Sequence, residues 1–132
     1  MSYGQPNLVE LVRAVSLYLE ETAMPALTGR AAFHGRVAVN VLGTIAREIE
    51  HGPHAHARER DGLAALMGRD DDLDALRAAL CADLRAGRKD ADTPGLVAAL
   101  LAAAIDRVAI EQPSYASLRL AREAAGDDSP KS

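Results

Sequence analysis

Apolar side chains recur at three- and four-residue spacings along most of the chain, which is the period of an amphipathic helix. Leu8, Leu11, Val12, Val15 and Leu19 make the first such stripe and predict a helix from about Leu8 to Thr22 with that stripe buried. Asn7 before it is a good N-cap, and Glu10 stands where a capping box needs a carboxylate. Met24-Pro25 predicts an end or a kink, because the residue before a proline avoids the α region. A second helix is expected from about Arg30 to His51, after the cap-like Thr28-Gly29 and before the stop signal Gly52-Pro53. A shorter third follows from about Arg58 to Met67, ending at Gly68. The fourth runs from about Asp72 to Ala86, with Leu73, Leu76, Leu80 and Leu84 on one face and Gly87 placed to close it. Thr93-Pro94 supplies an N-cap and first residue for a fifth helix reaching about Gln112, ahead of Pro113. That helix is apolar nearly all round, so it belongs in the core, at an interface, or both. Its Ala98, Ala99, Ala102 and Ala103 would let a second chain approach closely.

These segments predict an all-α fold, a compact bundle of about five helices, mostly antiparallel because the loops are short. Residues 1–115 read as one domain. Residues 116–132 read as a polar tail, partly disordered and frayed toward Gly126-Asp127-Asp128-Ser129-Pro130. Composition agrees: the chain has no Trp, one Phe and three Tyr, too few aromatic residues for a sheet-dominated fold.

Charge and cysteine content narrow the partners. A net charge of −4 without a basic cluster argues against a nucleic-acid surface. Asp70, Asp71, Asp72 and Asp74 read as carboxylates favouring a helix start. The single Cys81 excludes an internal disulfide and reads as packing between Leu80 and Leu84. The N-terminus lacks a basic segment followed by an apolar one, so no signal peptide is expected. The longest uncharged apolar run, Pro94 to Ile105, falls short of the roughly 18 residues of a membrane span. A cytoplasmic protein without membrane contact is the expectation.

The second helix carries the candidate chemistry. On a helical projection Val37, Val41, Ile45, Ala38, Ile49 and Leu42 form a broad apolar arc. His34 falls inside that arc and Glu48 near its edge, about 21 Å apart along the axis, too far to act on one another. If buried, each needs a partner from another helix. Arg36, Asn40 and Arg47 fall within about 40° of one another on the projection, with Thr44 alongside. Guanidinium forks suit carboxylates and phosphates, so Arg36, Asn40, Arg47 and Glu48 are the candidate ligand- or partner-binding residues. A wet helix face would need the same residue types. His34 is the one weak candidate for proton transfer, by its ordinary pKa range, and no nucleophile stands beside it.

His51, His54 and His56 lie within six residues, around Gly52-Pro53. Imidazole binds transition metals, but spacings of three and two match no helical metal motif. A solvated loop is the expectation, with the three histidines as weak metal candidates. The chain has no dinucleotide, P-loop or nucleophile-elbow motif, and no cofactor is expected.

Several segments together carry a resemblance: Met24-Pro25, Leu27-Thr28-Gly29-Arg30, Phe33 through Asn40, Arg47 through Pro53, Leu80-Cys81-Ala82-Asp83 and Pro113-Ser114-Tyr115. Across about Leu8 to Tyr115 the chain resembles a family of small bacterial all-helical proteins of unassigned function, found beside aminoglycoside-phosphotransferase-like kinases and acyl-CoA dehydrogenases. The resemblance implies a link to acyl-CoA or fatty-acid catabolism but no activity and no site residue. Two functions follow as expectations. One is a non-enzymatic accessory or interaction protein, a homodimer or the partner of a neighbouring metabolic enzyme. The other is a small-ligand binder or enzyme subunit that holds an anionic, phosphate- or acyl-CoA-like molecule with Arg36, Asn40, Arg47 and His34.

Overall fold

A computed structural model describes residues 4–126, and the last part of the expected fray, residues 127–132, lies outside the described residues. Among the described residues the regular structure is five α helices with a π turn and a 3-10 turn after the first, and no strand occurs. The all-α expectation holds, but the helices are not divided as the sequence suggested.

Helix α1 spans Leu8–Tyr18 and starts as expected. The Asn7 side chain accepts from the Glu10 amide at 2.9 Å, and Glu10 Oε2 accepts from the Asn7 amide at 3.0 Å. The chain then stays helical through a π turn, Leu19–Ala23, and a 3-10 turn, Met24–Ala26. It becomes extended only at Leu27. Pro25 sits early in the 3-10 turn, where a missing amide costs little, so the helix changes type at Met24-Pro25, as expected of a kink, and ends at Ala26.

Helix α2 spans Gly29–Met67, with Pro53 inside it. The expected stop at Gly52-Pro53 and the separate third helix are thus corrected to one continuous helix of 39 residues. Proline removes one i→i−4 hydrogen bond and crowds the preceding turn. Its fixed φ is helical, however, and Gly52 before it has no β-carbon to clash with the ring. His54 and His56 accordingly sit on a helix rather than in a loop.

Helix α3 spans Leu73–Arg85, with the Asp72 carboxylate capping the Ala75 amide at 2.8 Å. Gly87, at φ 74°, takes the left-handed turn after it. Helix α4 spans Leu96–Glu111. It starts two residues later than Thr93-Pro94 implied, because the Thr93 hydroxyl accepts backwards from the Asp90 amide at 2.9 Å. Gly95, at φ 83°, then turns the chain into α4. Helix α5, Leu118–Ala124, falls in the segment read as a tail and buries Leu118.

The chain divides into two compact units between Gly52 and Pro53. In the first, Arg13 of α1 reaches both carboxylate oxygens of Glu50 on α2 at 3.1 Å. Met24 lies over Gly35, where an added β-carbon would stand 2.6 Å from Met24 Sδ and 3.1 Å from Leu27 Cδ1. Only Val39 and Ala46 are buried among the described residues of this unit. The expected burial of the α1 stripe is corrected: Leu8, Leu11 and Val15 are exposed.

The second unit holds the main core. Leu63 of α2, Leu73, Leu76 and Leu80 of α3, and Leu96 of α4 form one buried cluster, with Leu66 and Met67 packed on it. Ile105, Ile110 and Leu118 are also buried. Surface ion pairs bind the elements together. Arg77 forks onto Glu59 at 2.8 and 2.6 Å, and Arg58 meets Asp106 at 3.3 Å. The Arg77 hydrogen bonds hold the Glu59 carboxyl below the ordinary carboxylate range, against partial desolvation that pushes it up.

The glycines of α2 differ in what surrounds them, which gives a test of the first unit's packing. Nothing lies within 4 Å of the β-carbon position of Gly62. Gly62→Ala should therefore show the helix-propensity gain of about 1 kcal/mol. Gly35→Ala should fall short of that gain by at least about 1 kcal/mol, because Met24 and Leu27 must move. Urea unfolding of the two variants checks the difference, and Met24→Ala in the Gly35→Ala background should recover part of it.

Candidate functional site

Up to Gly52, helix α2 carries two rows of apolar residues on different sides, which draw together only where Ile45 nears Ile49. One carries Gly35, Val39, Leu42, Ala46 and Ile49, and this face holds the unit's two buried side chains. The other carries Phe33, Val37, Val41 and Ile45 at four-residue spacing, which aligns them as one ridge. These four are 64%, 43%, 51% and 41% exposed. A helix facing water needs only one apolar face, so the second is the anomaly of this unit. Helix α1 repeats the pattern in smaller form, with Leu8, Leu11, Val15 and Tyr18 exposed.

The sequence-based candidates take their places around this ridge. His34 is exposed rather than set in a buried arc. The arc read from the projection joined two faces of the helix, and His34 lies on the outer one. Its Nε2 accepts from Arg30 Nε at 3.4 Å. Its ring meets Phe33 edge-on at 5.5 Å. Glu48 is also exposed, with its carboxylate folded beside Gly52, 2.7 Å from where a β-carbon would stand. Neither residue therefore has the buried setting that would demand a partner on another helix.

Arg36 and Asn40 are exposed and Arg47 is half-buried. Part of the strip is linked along the helix: Arg47 Nη2 donates to Thr44 Oγ1 at 3.2 Å, and that hydroxyl donates to the Asn40 carbonyl at 3.2 Å. Arg36 and Arg47 share a face but stand eleven residues apart, about 16 Å along the axis. Their backbone positions are thus three turns apart, rather than paired for one small anion.

His51, His54 and His56 are all exposed, and His51 Nε2 lies 3.6 Å from Glu50 Oε2. At a spacing of two on one helix, His56 projects to a different side from His54, so the three imidazoles do not converge. No group of three or more His, Cys, Asp or Glu side chains is disposed for a metal ion among the described residues. Cys81 is exposed rather than packed. It lies off the buried face defined by Leu73, Leu76 and Leu80.

The polar groups that sequence reasoning passed over are structural in character. Asp83 is the clearest. Its carboxylate accepts from Arg88 Nε at 2.8 Å and pairs with Lys89 Nζ at 3.1 Å, while its carbonyl accepts from both their amides. Hydrogen bonds from Arg88 and then Lys89 hold its carboxyl below the usual range. This arrangement ties the polar loop back onto the end of α3. Nothing in helical periodicity marks Asp83, because its partners lie beyond the helix. No polar or charged residue is buried among the described residues. No described helix is long and apolar enough to cross a membrane.

A family model described as a domain of unknown function (DUF6285) matches residues 25–115. No curated protein and no solved structure matches the chain.

Proposed function

We propose that this chain, which belongs to the DUF6285 family, is an accessory protein that works by association of its helices rather than by turnover of a substrate. The observation that carries this reading is the exposed ridge Phe33, Val37, Val41 and Ile45 on a unit that buries only Val39 and Ala46 among its described residues. Contiguous exposed apolar surface on a small folded unit marks an interaction site. Aromatic and arginine side chains favour such interfaces, and Phe33 is flanked by Arg30 and Arg36. A place beside enzymes of acyl-CoA metabolism is the finer part of the proposal and rests on the family resemblance.

Affinity purification of the tagged chain from its own cells, with mass spectrometry of what co-purifies, tests this reading. A stoichiometric chain, either another copy or an enzyme, is expected with the native sequence and lost with Phe33→Ser. Recovery of the chain alone, together with a thermal shift on adding an acyl-CoA or a nucleotide, would overturn association in favour of ligand binding at Arg36, Asn40, Arg47 and His34.

A further inference from the structure

We infer that the outer ridge of α2 pairs with the same ridge of a second copy, antiparallel and about a two-fold axis that crosses the ridge between Val37 and Val41, level with position 39. This rests on the association reading above and names its partner. Two independent observations carry it.

The first is the lack of a core. A two-helix hairpin in water has too little interior to persist by itself, and packing against further helices is the usual remedy. The second unit of this chain has its own cluster around Leu76, whereas the first has only Val39 and Ala46 buried among its described residues. The unsatisfied apolar surface is also ordered: four large side chains in register on one face of one helix.

The second observation is self-complementarity. A two-fold interface sets each residue against another on the same patch, so the patch must match its own reverse. The ridge does so about position 39. Phe33 falls opposite Ile45 of the second copy, and Val37 opposite its Val41. The flanking charges obey the same symmetry. Arg30 and Glu48 each lie nine residues from position 39, one at either end. On the helical projection both fall on the midline of the ridge. Antiparallel pairing therefore brings Arg30 of one copy to Glu48 of the other, twice per dimer. Parallel pairing would set Arg30 against Arg30 and Glu48 against Glu48. Opposite charges at the ends of an apolar seam select orientation more than they add affinity.

Sedimentation equilibrium on the full chain, under reducing conditions so that Cys81 cannot cross-link, reads the association directly. The native chain is expected to have the mass of two copies. Val41→Asp sets carboxylates beside the axis and is expected to give a monomer with unchanged helical circular dichroism, because Val41 is half-exposed in the single chain. Arg30→Glu and Glu48→Arg are each expected to weaken the dimer by about three- to tenfold. The double variant should recover most of the loss, which no parallel register allows. A native chain that stays monomeric to its solubility limit would overturn the inference. So would a dimer indifferent to Val41→Asp, or a charge swap that fails to rescue. If a different protein co-purifies while the chain alone is monomeric, the association reading stands and the self-pairing falls.

Discussion

Leu76→Ala is expected to lower the free energy of unfolding by about 2–5 kcal/mol. Leu76 is fully buried at the centre of the cluster formed with Leu63, Leu73, Leu80 and Leu96. Truncation removes the transfer energy of the lost carbons and leaves a cavity that three helices border. Small domains are stable by only about 5–15 kcal/mol, so the loss is a large share of the whole. Leu84→Ala is the matched control. It lies on the same helix and is 39% exposed, and it is expected to cost well under half as much. Urea unfolding followed by circular dichroism compares them. Equal losses for the two leucines would mean that the second unit is not organised around Leu76.

Pro53→Ala is expected to act in the opposite direction, raising stability by about 1–3 kcal/mol. The replacement restores an amide donor to the Ile49 carbonyl and removes the ring from the preceding turn. That gain exists only if α2 is continuous through this point, as Gly29–Met67 is. Were residues 52 and 53 the end of a helix, alanine would bring little, and could cost stability by freeing the unfolded chain. Thermal unfolding gives the sign. Exchange protection of the new backbone amide at position 53 in the variant would show the added hydrogen bond itself.

Local signals in the sequence were reliable where the chemistry is local. The Asn7–Glu10 capping box, the helix-start role of the carboxylates around Asp72 and the turn at Gly87 each involve groups within a few residues, and each forms. The alternation of Leu73, Leu76 and Leu80 also pointed to the right core face. Gly52-Pro53 misled because both residues disfavour helix only in part: a proline inside a helix costs one hydrogen bond, which packing on either side can offset. Thr93-Pro94 misled because a threonine hydroxyl has two directions in which to accept, and here it serves Asp90 rather than the helix ahead.

The candidate site was legible only in outline. The projection located the unusual part of α2 but merged its inner and outer apolar faces into a single arc. That merger is what placed His34 in a core. A hydrophobic period says that a face avoids water; it carries no information on whether the partner comes from the same chain. For that reason the stripe Leu8, Leu11 and Val15, expected to be buried, is exposed instead. Long-range pairs such as Arg13–Glu50 and Glu59–Arg77 were invisible for a related reason, since neither partner marks the other at a distance in sequence.

The thin interior of the first unit has a consequence for how the protein behaves in a cell. A segment held together by pairing is stabilised by mass action, so a tenfold rise in chain concentration strengthens it by up to about 1.4 kcal/mol. Under the inferred pairing, abundance would become a structural variable: chains made in small amounts would present an open hairpin to proteases, whereas those made in excess would shelter one another. The second unit, with its own cluster around Leu76, would be indifferent to dosage. Scarcity would thus trim the first unit before the second, and would set a threshold of synthesis below which the two units would not accumulate together.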